Sequence, residues 1–145
     1  MPIQFYSESK IFKLDTSSTS YVLQIGKYGY LLHLYYGALV QDHDLAYMGY
    51  TCPHGAHFPR VESETADNPF FSKDLHRMEY SCNGCGDFRG SALSIRRSTG
   101  TDDTDIQYVS HKIYAGKPKL DGQPATYADE NEATTLEILC RDRVS

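Results

Sequence analysis

The segment Cys82-Asn83-Gly84-Cys85 comes nearest to a chemical site by residue type and spacing. Two thiols separated by two residues have the spacing of a zinc knuckle, and Cys52 with His54 or His57 would complete four ligands of the kinds zinc prefers. Against this, the second set is not a Cys-x-x-Cys repeat, and two loops far apart in sequence would have to meet. A redox role asks for the paired cysteines at the start of a helix in a βαβ setting, and no such setting is visible. Two reduced loop thiols is the simpler reading, so neither a metal nor any other cofactor is expected.

Asp87 and Arg89 flank Phe88 in a turn after Gly86. An acid and a guanidinium two residues apart can fix a loop through charge-assisted hydrogen bonds or present it to a neighbouring domain. The plain alternative is a surface ion pair of little energetic value. His33 and His111 lie in strand-like runs and read as packed or half-exposed sheet residues, while His43 and His76 have no nameable partner. There is no glycine-rich phosphate loop and no Ser/His/Asp arrangement in a supporting context, and the carboxylates fall mostly in turns. The chain by itself offers no catalytic residue.

The elements that must position these groups are short strands. Lys10 to Leu14 is the first run, and Ser20 to Ile25 alternates Tyr21, Leu23 and Ile25 with Val22 and Gln24, so that one face enters a core. Lys27, Tyr28 and Gly29 form a tight connection to a return strand, Tyr30 to Tyr36. From 37 to 73 the pattern breaks into a long irregular loop with Pro53, Gly55, Pro59 and Pro69, of the kind that usually carries function. Strand-like runs resume at Met78 to Tyr80, Ala92 to Arg96, Ile106 to Tyr114 and Thr134 to Cys140. No stretch has helical periodicity, so the predicted class is all-β, an antiparallel sandwich or barrel. The close of the last run so near Ser145 suggests a sheet edge that a following segment covers.

A length of 145 residues fits one domain with its own core. With 14 basic and 19 acidic residues and no Lys/Arg cluster, nucleic acid is an unsuitable partner. Met1 to Lys10 lacks a basic stretch followed by an apolar run, and no segment is apolar enough to span a bilayer. The expected setting is soluble and cytoplasmic, with no membrane partner.

Taken in order, Thr19-Ser20-Tyr21-Val22, Gly29 to Gly37, Glu79-Tyr80, Gly86-Asp87-Phe88-Arg89, Gly116-Lys117-Pro118, Leu120, Pro124-Ala125-Thr126-Tyr127 and Thr135-Leu136-Glu137-Ile138 resemble the N-terminal region of family 36 α-galactosidases. The resemblance runs from about Ile11 to Asp142. It implies the first, truncated part of a β-sandwich of the galactose-mutarotase-like supersandwich kind, followed in the family by a (β/α)8 barrel that carries the catalytic carboxylates. It further implies a parent enzyme that removes terminal α-galactose from melibiose-type and raffinose-type sugars with retention. The fragment would then be inactive alone, and would support folding, contribute oligomer contacts and lend loops to the rim of the sugar pocket.

On that resemblance Asp87, Phe88 and Arg89, together with His57 and Phe58, are the candidate substrate-binding or interface residues. The Tyr50 to Pro59 stretch, with Cys52, Pro53, His54, Gly55, Ala56, His57 and Phe58, departs from the charged pair that relatives carry in a loop approaching the sugar. The competing expectation is a free-standing sugar-binding or zinc-stabilised β-module.

Overall fold

The computed structural model describes residues 3–41, 45–49, 71–84, 86–119, 121–122, 128 and 132–144. Among these residues six strands make two antiparallel sheets: β1 (Ile3–Tyr6), β2 (Ile11–Asp15), β3 (Thr19–Ile25) and β4 (Leu31–Ala38) form a meander in that order, and β5 (Ile106–Ala115) pairs with β6 (Thr134–Asp142). Among the described residues there is no α-helix, only 3-10 turns at Ala46–Gly49 and Lys73–Leu75. The predicted all-β antiparallel class is what the chain adopts, and no helix among the described residues is long and apolar enough to cross a membrane.

The period-two side-chain alternation of these strands builds three packed clusters. Phe12, Leu23, Ile25 and Leu31 cover one face of the meander and meet Tyr108, Leu136, Ile138 and Cys140 from β5 and β6, which makes the two-layer sandwich. Phe5 stacks on Phe12 at 4.5 Å between ring centres, and the His111 ring stands edge-on to Phe12 at 4.7 Å. His111 is thus a packed sheet residue. On the opposite face Ile11, Val22 and Leu34 bury Leu45, which leads into the Ala46–Gly49 turn. The register of β3 and β4 shifts between Val22 and Leu23, and Leu34 is the extra residue on β4. A bulge re-aims one side chain, and here it joins Leu34 to Val22 and Ile11. A third cluster, Tyr30, Leu32 and Phe71, closes the end of the sheet.

The β3–β4 hairpin turns at Gly26–Tyr30, where the Gly26 amide donates to the Tyr30 carbonyl (2.8 Å) and Gly29 adopts φ +81°. The Gly29 carbonyl accepts the Tyr108 amide at 2.8 Å, so the turn also ties the two sheets together. A methyl group at Gly29 would meet only Gln107 at 3.7 Å, an ordinary contact. The cost of Gly29→Ala therefore comes from the left-handed backbone, and a loss of about 1–2 kcal/mol is expected in urea unfolding.

Three sequence expectations need correction. The run from Lys10 to Leu14 is not the first strand: β1 precedes it, and four residues are too few to show a period. Met78 to Tyr80 is not a strand but a single bridge, Leu32 to Met78, flanked by the Glu79 amide to the Leu31 carbonyl. Ala92 to Arg96 is not a strand either: it has the alternation, but among the described residues no segment forms a ladder with it. Of the long irregular loop, residues 42–44 and 50–70 lie outside the described residues; Gly37 and Ala38 belong to β4, and Leu45 and Phe71 pack on the sheet.

Candidate functional site

Gly84 to Arg89 is a tight turn, closed by the Asp87 amide to the Gly84 carbonyl (3.1 Å) and passing through Gly86 at φ +81°. It carries the Asp87 carboxylate fully inward. Arg89 meets that carboxylate in a bidentate pair, Nε to Oδ1 at 2.8 Å and Nη2 to Oδ2 at 2.9 Å, and its own amide adds a third bond at 3.2 Å. The guanidinium also donates Nη1 to the His76 carbonyl (2.6 Å) and Nη2 to the Lys73 carbonyl (3.0 Å). Arg89 therefore clamps the Lys73–Leu75 turn to the 84–89 loop through its planar fork of donors, a task that suits Arg over Lys. Burial pushes the Asp87 carboxyl up, but hydrogen bonds and charge from Arg89, with the Cys82 amide, outweigh it and hold the group below its ordinary value. Asp87 raises Arg89 in turn.

The clamped turn presents a second network that sequence reading missed. Lys73 and Asp105 are each 1% exposed and pair at 2.5 Å. Tyr30 donates its hydroxyl to the same Asp105 oxygen at 3.0 Å, and the Lys73 ammonium lies 4.9 Å from the Tyr30 ring centre. The Asp105 amide donates to Asp142 Oδ1 at 2.9 Å, and the other oxygen of Asp142 is bonded by Arg97. These bonds pin the 71–76 segment, the start of β4, the entrance to β5 and the end of β6 at one corner. Lys73 and Asp105 are 32 residues apart and Tyr30 and Asp105 are 75 apart, so no local spacing could reveal them.

A smaller polar group lies along β3 and β4. The Tyr21 hydroxyl donates to Glu79, whose other oxygen is 3.3 Å from His33 Nδ1. Burial first, then the Glu79 bond and charge, push the Tyr21 hydroxyl far above its ordinary value. His76, which lacked a nameable partner, places Nδ1 2.9 Å from the Ser72 carbonyl.

Of the candidate residues, the structure joins Asp87 and Arg89 to each other and turns Phe88 outward, 74% exposed. His57 and Phe58 lie outside the described residues, as do Cys52, His54 and Cys85. Cys82 is buried with its thiol 3.9 Å from the Tyr80 carbonyl. Among the described residues no three His, Cys, Asp or Glu side chains are grouped to hold a metal, and Cys82 and Cys140 are free thiols. Burial pushes the Cys140 thiol up, away from a reactive thiolate.

The described carboxylates with a resolved shift, Asp15, Asp87 and Asp142, are all lowered: in each, burial raises the group but the bonds and charges around it prevail. A general acid at neutral pH needs the opposite shift. The site is thus a set of clamps that set the shape of one corner of the sandwich.

The family described as the glycosyl hydrolase family 36 N-terminal domain matches residues 29–145. Alpha-galactosidase AgaA of Geobacillus stearothermophilus is 38% identical over 98% of this chain and 19% of its own length. The bifunctional alpha-galactosidase/sucrose kinase AgaSK of Mediterraneibacter gnavus is 38% identical over 98% of this chain and 15% of its own. The solved galactosidase domain of AgaSK superposes with a TM-score of 0.87 at 36% identity, over 99% of this chain and 20% of that one. A variant of the Geobacillus stearothermophilus enzyme solved with raffinose gives 0.80 at 38% identity, over 93% and 18%. The chain spans about a fifth of the length of these relatives. With its antiparallel sandwich and this likeness along nearly its whole length, the chain belongs to glycoside hydrolase family 36, as the N-terminal domain found in that family's α-galactosidases.

Proposed function

We propose that the chain is the accessory N-terminal domain of a cytoplasmic α-galactosidase that hydrolyses terminal α-galactosides such as melibiose and raffinose with retention. Its own tasks are folding support, contacts in a homo-oligomer and a contribution to the rim of the sugar pocket, with Phe88, and His57 and Phe58, as the residues facing the barrel or the sugar, and with Asp87 and Arg89 fixing the turn that carries Phe88. The observation that carries this reading is the family match across residues 29–145 by a chain one fifth the length of its relatives.

A retaining glycosidase needs two carboxyl groups about 5–5.5 Å apart, one of them protonated at working pH. On this reading that pair belongs to the barrel that follows the domain in the family, beyond this chain. The chain alone is expected to be inert on raffinose and on a chromogenic α-galactoside, and the polypeptide extended through the downstream reading frame to hydrolyse both. An inert extended polypeptide would remove the enzyme reading.

The second reading is a free-standing sugar-binding module. One observation favours it: a cleft of about 330 Å³ at the end of the sandwich, lined by Phe5, Ser7, Lys10, Ile25, Lys27 and Tyr108. Calorimetric titration of raffinose into this chain separates the two, since heat of binding in the absence of any downstream frame would favour the module.

A further inference from the structure

Residues 91–96 are all exposed, although their sequence alternates Leu93 and Ile95 with Ser94 and Arg96 as a half-buried strand does. Leu93 is 39% exposed and Ile95 38%. Among the described residues the segment is held at its ends and by Ser91, whose hydroxyl accepts the Leu93 amide at 3.3 Å and donates to the Leu93 carbonyl. The Ala92 amide donates to the Ser81 carbonyl at 3.0 Å, and the Arg97 amide to the Thr101 carbonyl at 2.9 Å. Between them the backbone N–H and C=O groups of Ser94, Ile95 and Arg96 bond to nothing among the described residues. A run of unpaired backbone groups beside exposed apolar side chains is a template for an added strand.

We infer that Leu93–Arg96 is a β-augmentation edge whose occupant is a strand of the parent polypeptide following residue 145, an inference that rests on the reading of the chain as the N-terminal part of a larger enzyme. Two observations select this occupant over a foreign peptide. The relatives that match this chain end to end are about five times as long. In addition, β6 closes beside this edge: Asp142 is bonded by Arg97, and the Arg143 amide donates to the Asp105 carbonyl at 2.9 Å. Chain leaving β6 therefore passes the Arg97 end of the edge and can run back along it. The complementary strand has apolar residues facing Leu93 and Ile95, and an acid within reach of Arg96. Phe88 lies on the turn that precedes the same segment, 74% exposed and backed by the Asp87–Arg89 pair, and offers an apolar knob to the same covering chain.

Hydrogen exchange read residue by residue tests this, in the 145-residue chain and in the extended polypeptide. One added strand bonds the amides of alternate residues, so either Ser94 and Arg96 or Ile95 is expected to exchange freely in the short chain and at least about tenfold more slowly in the long one, while β3 amides are protected in both. Ser94→Pro puts a ring without an N–H into the edge. It is expected to abolish the new protection at whichever of Ile95 and Arg96 faces the added strand and to lower the unfolding midpoint of the long form only. Free exchange in the long form, or protection already present in the short chain, overturns the assignment. Galactoside hydrolysis by the same long form reads the enzyme proposal separately: protection without hydrolysis keeps the edge and sinks the enzyme, and hydrolysis without protection does the reverse.

Discussion

Lys73→Ala is expected to destabilise the chain by about 3–5 kcal/mol, the cost of leaving one member of a buried ion pair without its partner. Asp105 is 1% exposed, and its carboxylate would lose the ammonium paired with it while keeping the Tyr30 hydroxyl. The methylene stem of Lys73 is buried as well, so packing is lost together with charge. Domains of this size are stable by only about 5–15 kcal/mol, so urea unfolding should show a large fall in midpoint. The double change Lys73→Met with Asp105→Asn keeps an acceptor for Tyr30 and removes both charges, and it should recover most of the loss. A Lys73→Ala midpoint close to that of the parent chain would mean that water reaches Asp105 and that the pair does not organise this corner.

Arg89→Ala should cost about 2–4 kcal/mol, because it strips Asp87 of its bidentate partner and frees the Lys73 and His76 carbonyls. The effect is smaller than at Lys73 for two reasons. Arg89 is 35% exposed, so solvent already screens it, and the Asp87 carboxylate keeps backbone amide donors. Arg89→Lys should rescue little, since an ammonium cannot span both carboxylate oxygens and two carbonyls.

The pH dependence fixes the cause. The folded Asp87 lies below its unfolded value of about 3.9, so the pair's contribution is present above that value. It disappears as pH falls through the folded value. The parent chain should lose stability from about pH 5 downward, and Arg89→Ala should lose it less steeply. Asp15 and Asp142, also lowered, keep a residual slope in the variant. Equal slopes would mean that Asp87 is not held ionised by Arg89.

Much of the sheet was legible because it is local. Leu23 and Ile25 alternate with Gln24, Gly29 supplies the left-handed turn, and β4 returns directly, so the hairpin needed no distant contact. β5 and β6 were found as runs of strand-favouring residues between turns, and the clamp of Asp87 with Arg89 was readable because its members are two residues apart. What failed did so where pairing is not local. Ala92–Arg96 has strand character without a strand beside it, and β1 has a partner but too short a period to announce it.

The sequence alone thus determined the strand-forming runs, their turns and the resemblance to family 36, since these rest on residue order and on neighbours along the chain. The tertiary structure decided which carboxylates are held as clamps. Burial and opposite charge set the ionisation of Asp87, and Asp105 meets Lys73 only because the 71–76 segment folds back over the start of β4. A side chain's environment is made by segments distant in sequence, and only folding brings them together.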